Sequence, residues 1–464
     1  MATPNAEEVA SYAISFGLQK GFEYVEAYVE ENNSIVYSIE QGKPGGAGVA
    51  KISGIRVRVI VDGSLYTFST NDINKKAIER AFAFKKFYGN ITKLSAEKTE
   101  HAMYKAKEKI KIEDSYQNFF SDLSEIDRRL ADKKVKYRSI YGGMGRSLSY
   151  LLNSDGTEIR SNIPFISSFM SFIVGDNEKS RQRLVEIGST GGYELFDFDK
   201  TISRIDGEVS AMNNVLSKGI NLSKGELSKI KNIVVSPEIV GIAAHESVGH
   251  PSEADRVFGR EAAQAGTSYI TNNFNMKIGS EKVTIIDDPT ISNSYGFFLY
   301  DDEGVKARKK VLVDKGMQNE LLLNREYAYS LNTKSNASAR SDSFSNEPII
   351  RMSNTYLEKG DSNLEELISE AKNGIYIKNF TEWNIDDTRS FARYQGNEAY
   401  LIKNGRLDQP IKNFMLDISS TDFWGSIDLV GDEFELFPGD CGKGEPMQGV
   451  PVTMGGASAL LRLR

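Results

Sequence analysis

Apolar and polar side chains alternate along residues 24–31 (YVEAYVEE), 34–40 (SIVYSIE) and 54–70 (GIRVRVIVDGSLYTFST), as in half-buried strands. Asp62-Gly63 interrupts the last run where a two-residue hairpin turn belongs. Ahead of these strands, Thr3 as cap, Pro4 in the first turn, Glu7 and Glu8 near the positive dipole end and Gly21 as a stop predict a helix. Residues 73–90 return to helical spacing, and the charge-rich stretch 98–134 is also predicted helical. A second strand group follows: KYRSIYGG, RSLSYLLNSDGTEIRS and IPFISSFMSFIVGDNEKSRQRLVEI read as antiparallel hairpins that turn at Ser154-Asp155-Gly156 and Gly175-Asp176-Asn177. The glycine-rich YGGMGRS at 141–147, lying between strand patterns, reads as a turn.

Residues 197–218 are helical in period and run into SKGINLSKGELSK, a Gly/Lys-rich stretch that we take as the boundary between two halves. Beyond it NIVVSP is a short strand, and Ser236-Pro237-Glu238 supplies a cap, a first-turn proline and an early acid for a new helix. The remainder is mostly strand and turn: KVTIIDD, KKVLVDKGMQNELLLN, GIYIKNF, EAYLIKNGRLD and GVPVTMGG. The reading is α+β. An N-terminal α/β domain of antiparallel strands and helices spans 1–225, and a larger, mostly antiparallel-β domain spans 226–464.

A length of 464 residues supports two domains rather than one core. A formal charge of -7 and a pI near 5.4 leave no basic excess to neutralise phosphates, which argues against a nucleic-acid partner. The single cysteine excludes an intramolecular disulfide, and the N-terminus shows no basic segment followed by an apolar run, so a cytoplasmic protein is expected. No apolar run approaches the roughly 18–20 residues of a bilayer span, and membrane insertion is not expected.

The candidate chemistry sits in GIAAHESVGHPSEADRV (241–257), where two of the chain's three histidines stand five apart with a glutamate after the first. On a regular helix such residues point about 140° apart, too far to share one zinc. Two remedies are open. Gly249 and Pro251 flank His250 and would unwind the helix, swinging His250 back toward His245; alternatively a π-bulge brings residues five apart into line. We expect the first, because the glycine and proline are visible in the sequence. His245, His250 and Glu246 are then either two ligands and a general base or ordinary side chains near a helix end.

A catalytic zinc wants three protein ligands. His101, in the charged stretch, reads as an exposed helix residue; Glu253 and Asp255 could bind metal or pair with Arg256. Cys441, in FPGDCGKGEP, reads either as a ligand on a glycine-rich loop or as a small buried side chain. Phe437 stands where a phosphate loop needs glycine, and Lys443 is followed by glycine, so the Gly-Lys pair is not such a loop. Asp287, Asp288, Asp301, Asp302 and Glu303 could form an acidic cation site but read more simply as turn caps and solvated acids.

Several strings together resemble one family, the TldD/PmbA peptidases, and specifically its metal-bearing TldD branch: HESVGHPSEAD at 245, DDEGV at 301, PIIRMSNTYLEKG at 348, NGIYIKNF at 373, EAYLIKNG at 398 and GDCGKGEP at 439. The strand run from Gly54 extends the likeness into the first half. The resemblance implies a zinc metallopeptidase whose ligands map onto His245, His250 and Cys441, with Glu246 at the position of the catalytic glutamate. It implies a cytoplasmic enzyme acting on peptides or unfolded polypeptides. It also implies a dimer, homomeric or with a PmbA-type chain that lacks the metal motif. The family's H-G-L-E-G-D becomes His250-Pro251-Ser252-Glu253-Ala254-Asp255 here, which keeps both acids.

For an extended peptide we expect a groove in the β-rich half, with Asn354, Tyr356 and the polar stretch TKSNASARSDS (333–343) as candidate contacts. The competing expectation is a non-proteolytic peptide-binding subunit with a structural zinc closed by a fourth ligand, Glu253 being nearest. A zinc hydrolase of small amides is a third.

Overall fold

The structure, a computed structural model, describes residues 4–85, 91–133, 135–260, 266–444 and 446–463. Two sheets, each drawn from one half of the sequence, organise it. The first has the order β3-β2-β1-β5-β6-β4, with β7 also on β6. Its strands are β1 (Tyr24–Glu40), β2 (Lys43–Val61), β3 (Ser64–Thr70), β4 (His101–Lys105), β5 (Tyr137–Asn153), β6 (Glu158–Gly175) and β7 (Ser180–Thr190). The helices α1 (Pro4–Gln19), α2 (Lys75–Ala81), α3 (Tyr116–Asp132) and α4 (Phe198–Lys218) cover it. Ala6, Val9, Ala10 and Ala13 of α1 share a core with Val25, Val29, Val57 and Val59. Phe119, Leu123, Ile126 and Leu130 of α3 and Ile205, Val209 and Met212 of α4 form another over β5 and β6.

The three predicted hairpin turns fall where expected, and Gly21 ends the first helix at φ +81°. Thr3, the expected cap, and residues 86–90 of the predicted second helix lie outside the described residues. Three expectations are corrected. The runs 24–31 and 34–40 form one strand, because Asn32 and Asn33 stay in register with both β2 and β5. The stretch 98–134 is α-helical only from Tyr116, after a 3-10 turn at Ile112–Asp114, and there buried residues recur every three or four positions; His101–Lys105 instead pairs in parallel with β6. The glycines of 141–147 lie inside β5 rather than in a turn. A Cβ at Gly142 would meet Leu123 Cδ1 at 2.5 Å and one at Gly145 would meet Ser34 Cβ at 2.4 Å, so glycine serves close packing there.

After α4 and the short α5 (Lys224–Leu227) comes the second sheet, of order β11-β10-β9-β14-β20-β8-β15-β16-β17, with β18 on β16 and β19 on β20. Its strands are β8 (Asn232–Val235), β9 (Ile285–Asp287), β10 (Lys310–Asp314), β11 (Met317–Gln318), β14 (Asn354–Leu357), β15 (Gly374–Ile385), β16 (Phe391–Lys403), β17 (Arg406–Pro410), β18 (Met415–Ser419), β19 (Ile427–Lys443) and β20 (Gln448–Arg462). A separate two-strand ribbon joins β12 (Ala339–Arg340) and β13 (Ile349–Ile350). Pairing is antiparallel except between β14 and β20 and between β15 and β8.

On this sheet lies α6 (Pro237–Ala244), apolar after Glu238 and buried from Ile239 to its end. A Cβ on Gly241 would stand 2.5 Å from Gly455 N, so glycine lets the helix axis settle directly on β20. Burying Ile239, Val240 and Ile242 contributes roughly 1.5–3 kcal/mol each. That anchors eight residues which would not hold a helix alone. Among the described residues no helix is long and apolar enough to cross a membrane.

Candidate metal centre

Ser236 caps α6 as its sequence predicts, its Oγ accepting from Ile239 N, while Glu238 in the first turn pairs with the buried Arg183 of β7 at 2.7 Å. That ion pair ties the first sheet to the helix that leads into the histidines.

The helix does not unwind at Gly249, contrary to expectation. His245–Gly249 is a π-helical turn, closed by a hydrogen bond from His250 N to His245 O, and a 3-10 turn His250–Ser252 continues it. Only at Glu253 does the backbone become extended, before the one-turn α7 (Ala254–Val257). Gly249 keeps a right-handed conformation at φ -59°; its role is steric, since a Cβ there would lie 1.9 Å from Met352 Sδ. Tertiary contacts stabilise the widened turn. Ser247 Oγ donates to Ala243 O at 2.6 Å and accepts from Trp424 Nε1 at 2.8 Å, and Tyr269 OH donates to Ser247 O at 2.8 Å. The result is a pair of imidazoles with centroids 5.0 Å apart and planes at 84°.

Cys441 lies on β19 rather than on a loop, in register with Val450 of β20. The alternation of the strand turns Cys441 and Lys443 to the same buried face. Cys441 Sγ lies 3.4 Å from His250 Nε2, and ligand atoms of His245, His250 and Cys441 all fall within 4.8 Å of one another. All three residues are under 5% exposed, and His245 Nδ1 is buried without a hydrogen-bond partner. Burial pushes both histidines below their usual range, His250 further than His245. Burial alone would push the Cys441 thiol up, but His250 and then Arg351 outweigh it and bring the thiol down. Neutral imidazoles and a thiolate are the ligand forms of these side chains, and two nitrogens with one sulfur suit zinc.

Glu253 is placed behind His250 rather than beside the donor atoms. Its Oε2 meets His250 Nδ1 at 2.9 Å and Lys443 Nζ at 3.1 Å, and Lys443 also donates to Asp255 at 2.7 Å and to Ile350 O at 2.7 Å. Lys443, dismissed as a phosphate-loop lysine, thus ties β19 to the histidine turn through a buried carboxylate. Such a carboxylate–histidine contact fixes the ring and leaves Nε2 for a metal.

Glu246 faces a cavity of about 500 Å³ that both histidines and Cys441 also line, between β7 and α4 on one side and β15 and β19 on the other. Burial raises its carboxyl above the usual range, with His245 and Arg389 pulling the other way. Arg389, from the β15–β16 hairpin, donates through Nη1 to Glu246 Oε2. Nothing in NIDDTRSF marks this arginine, because its partner is 143 residues away.

The other candidates stand apart. His101 is exposed on β4, 3.7 Å from Glu158, and is a strand rather than a helix residue. Asn354 and Tyr356 do not line the cavity: Asn354 is fully buried on β14 with Nδ2 donating to Asp288 O, and Tyr356 packs edge-on to Phe434. In the polar stretch 333–343, residues 335–339 are buried, not a surface loop. The five acids are engaged by protein donors: Asp287 by Lys310 and Ser353, Asp288 by Thr290, Asp301 by backbone N–H groups, Asp302 by Ser341 and Glu303 by Arg58.

Comparison with known proteins adds a family to this geometry. Models of the PmbA/TldA metallopeptidase match as domain 1 over residues 25–83, as the central domain over 95–210 and as the C-terminal domain over 228–462. A metalloprotease of Methanothermobacter thermautotrophicus is 29% identical over 463 residues, covering 97% of this chain and 96% of its own. The "Metalloprotease TldD homolog" of Buchnera aphidicola (subsp. Acyrthosiphon pisum) is 30% identical, covering 96% and 92%. Among solved structures, TldE from Thermococcus kodakarensis superposes with a TM-score of 0.75 at 17% identity, covering 99% of each chain.

Proposed function

The chain belongs to the PmbA/TldD family of metallopeptidases, and from that premise we propose that it is itself a zinc-dependent peptidase acting on peptides or unfolded polypeptides. The observation that carries the reading is the buried His245, His250 and Cys441 set opening, with Glu246, onto one cavity. The orphaned His245 Nδ1 and the donor chemistry fit zinc. When bound, the ion supplies Lewis acidity and a water of lowered pKa.

The residues of the chain do the rest. Glu253 and Lys443 orient His250. Glu246 Oε2 is held by Arg389 while Oε1 makes no hydrogen bond to a described residue, which leaves that oxygen for a water. In hydrolysis Glu246 takes the proton as the water oxygen bonds to the carbonyl carbon, and returns it to the amine nitrogen as the C–N bond breaks. Trp383 and Phe437 give the cavity apolar walls, and the β15 segment from Phe380 to Trp383 offers backbone to an extended peptide.

Against a structural zinc stands the donor set, which has three members among the described residues, with Glu253 committed to His250 and Lys443. We further infer a cytoplasmic location and a dimer, homomeric or with a PmbA-type chain.

The test is metal content and cleavage of an unfolded reporter polypeptide by the purified protein and its His245→Ala, Cys441→Ser and Glu246→Gln variants. We expect about one zinc per chain, lost with activity in the first two. Glu246→Gln should keep its zinc and lose turnover. Zinc retained in Cys441→Ser, or cleavage surviving in Glu246→Gln, refutes the assignment.

A further inference from the structure

Arg389 is positioned with unusual care for a surface-hairpin residue. It occupies the left-handed region at φ +66°, which a non-glycine residue adopts only when its surroundings impose it. Asp386 imposes it: its carboxylate accepts from Ser390 Oγ at 2.9 Å, from Phe391 N at 2.6 Å and from Thr388 Oγ1, while its carbonyl accepts from Arg389 N at 2.9 Å. Ser420 Oγ donates to the Arg389 carbonyl at 2.6 Å. The side chain, only 17% exposed, then enters the cavity and meets Glu246.

A guanidinium has five N–H donors. One of them, on Nη1, goes to Glu246 Oε2; Nε is buried with no acceptor, and Nη2 makes no hydrogen bond to a described residue. Arg389 therefore clamps one oxygen of the base through Nη1 and lines the same cavity with its Nη2 donors uncommitted to any described residue. A donor one hydrogen bond from the general base lies within reach of the carbonyl that the base's water attacks, because base, water and carbonyl carbon must themselves stand within about 3 Å of each other in turn.

We propose that Arg389 is a substrate-binding residue of this site: its free guanidinium edge donates to the scissile carbonyl oxygen and to the oxyanion that oxygen becomes. The inference rests on the peptidase reading above. As water adds to the carbonyl carbon, the C=O π pair moves onto the carbonyl oxygen, the water's proton goes to Glu246, and the fixed guanidinium faces the new negative charge. A preorganised donor of this kind acts on the barrier more than on ground-state binding.

The test uses the zinc-loaded chain with a fluorogenic peptide and a phosphinic peptide of the same sequence, whose P–O⁻ stands in for the oxyanion. Arg389→Gln should lower kcat on the order of 10²–10³-fold, leave KM within about threefold and weaken phosphinate binding by a similar factor. Zinc content and melting temperature should stay unchanged, and Arg389→Lys should recover part of the loss. The deciding readout is made without turnover, in the Glu246→Gln background, where adding Arg389→Gln should again weaken phosphinate binding at least tenfold. If the second substitution changes nothing there, Arg389 acts only through Glu246 and the proposal is overturned. If the unsubstituted chain cleaves the peptide but both Arg389 variants match it, the Arg389 role fails and the peptidase reading stands. A zinc-loaded unsubstituted chain that neither cleaves the peptide nor binds the phosphinate refutes both.

Discussion

Replacing Glu253 by glutamine removes one negative charge from a buried group while preserving its shape. Glu253, Asp255, Lys443 and Arg256 are each no more than 3% exposed, two acids against two bases. The substitution leaves a net positive charge in that group, and His250 Nδ1 loses a carboxylate acceptor at 2.9 Å. Removing one partner from a buried ion pair costs about 3–5 kcal/mol. Here Lys443 retains Asp255 at 2.7 Å and Ile350 O at 2.7 Å, so we place the loss of folding stability at the lower end, about 3 kcal/mol. Loss of a carboxylate behind a ligating histidine typically weakens metal binding by about 10–100-fold. Urea melts of the metal-free chain give the first quantity, and zinc competition against a calibrated chelator gives the second. The Glu253→Gln chain should remain folded, unfold at lower urea and bind zinc at least tenfold more weakly. A zinc affinity within twofold of the parent, with an unaltered melt, would falsify the claim that Glu253 holds His250.

Two further outcomes follow from local geometry. Gly249→Ala should destabilise the chain by about 1–3 kcal/mol, because its Cβ meets the fully buried Met352 Sδ at 1.9 Å; combined with Met352→Ala it should cost less than the two separate losses summed, and strict additivity in a double-mutant cycle would sink the steric account. Glu30 is raised from 4.5 to about 7, first by burial, against the pull of its hydrogen bond from Phe344 N. It holds its proton more tightly folded than unfolded, so its contribution is most favourable below pH 4.5 and is lost as pH climbs to 7, a difference of roughly 3 kcal/mol. Glu30→Gln should therefore raise the urea midpoint at pH 8 and lose most of that gain at pH 5; equal effects at both pH values would contradict the burial argument.

Much of the fold was legible because strand alternation and turn chemistry are local. The β2–β3, β5–β6 and β6–β7 turns, the α4 helix and the Ser236-Pro237 start of α6 each depend on a few adjacent residues. The errors share a cause. Residues 101–105, in the charge-rich stretch, form a strand because β6 offers them an unpaired edge, and the glycines at 142 and 145 serve close packing rather than a turn. In both cases the deciding neighbour is distant in sequence. The π turn was misread for the same reason: Gly249 and Pro251 argue locally for unwinding, while Trp424, Tyr269 and Met352 hold the turn closed from outside.

By itself the sequence determined the chemical inventory: two histidines five apart with Glu246 between them, one cysteine in a distant Gly-rich string, and the family these strings resemble. Only the tertiary structure decided that Cys441 comes to 3.4 Å from His250, that Glu253 and Lys443 stand behind that histidine, and that Arg389 reaches Glu246. The physical reason is range. Caps, turns and periodic burial are set by covalent neighbours, whereas these contacts span gaps of up to 191 residues and exist only because the β19–β20 and β15–β16 hairpins pack at fixed register around α6.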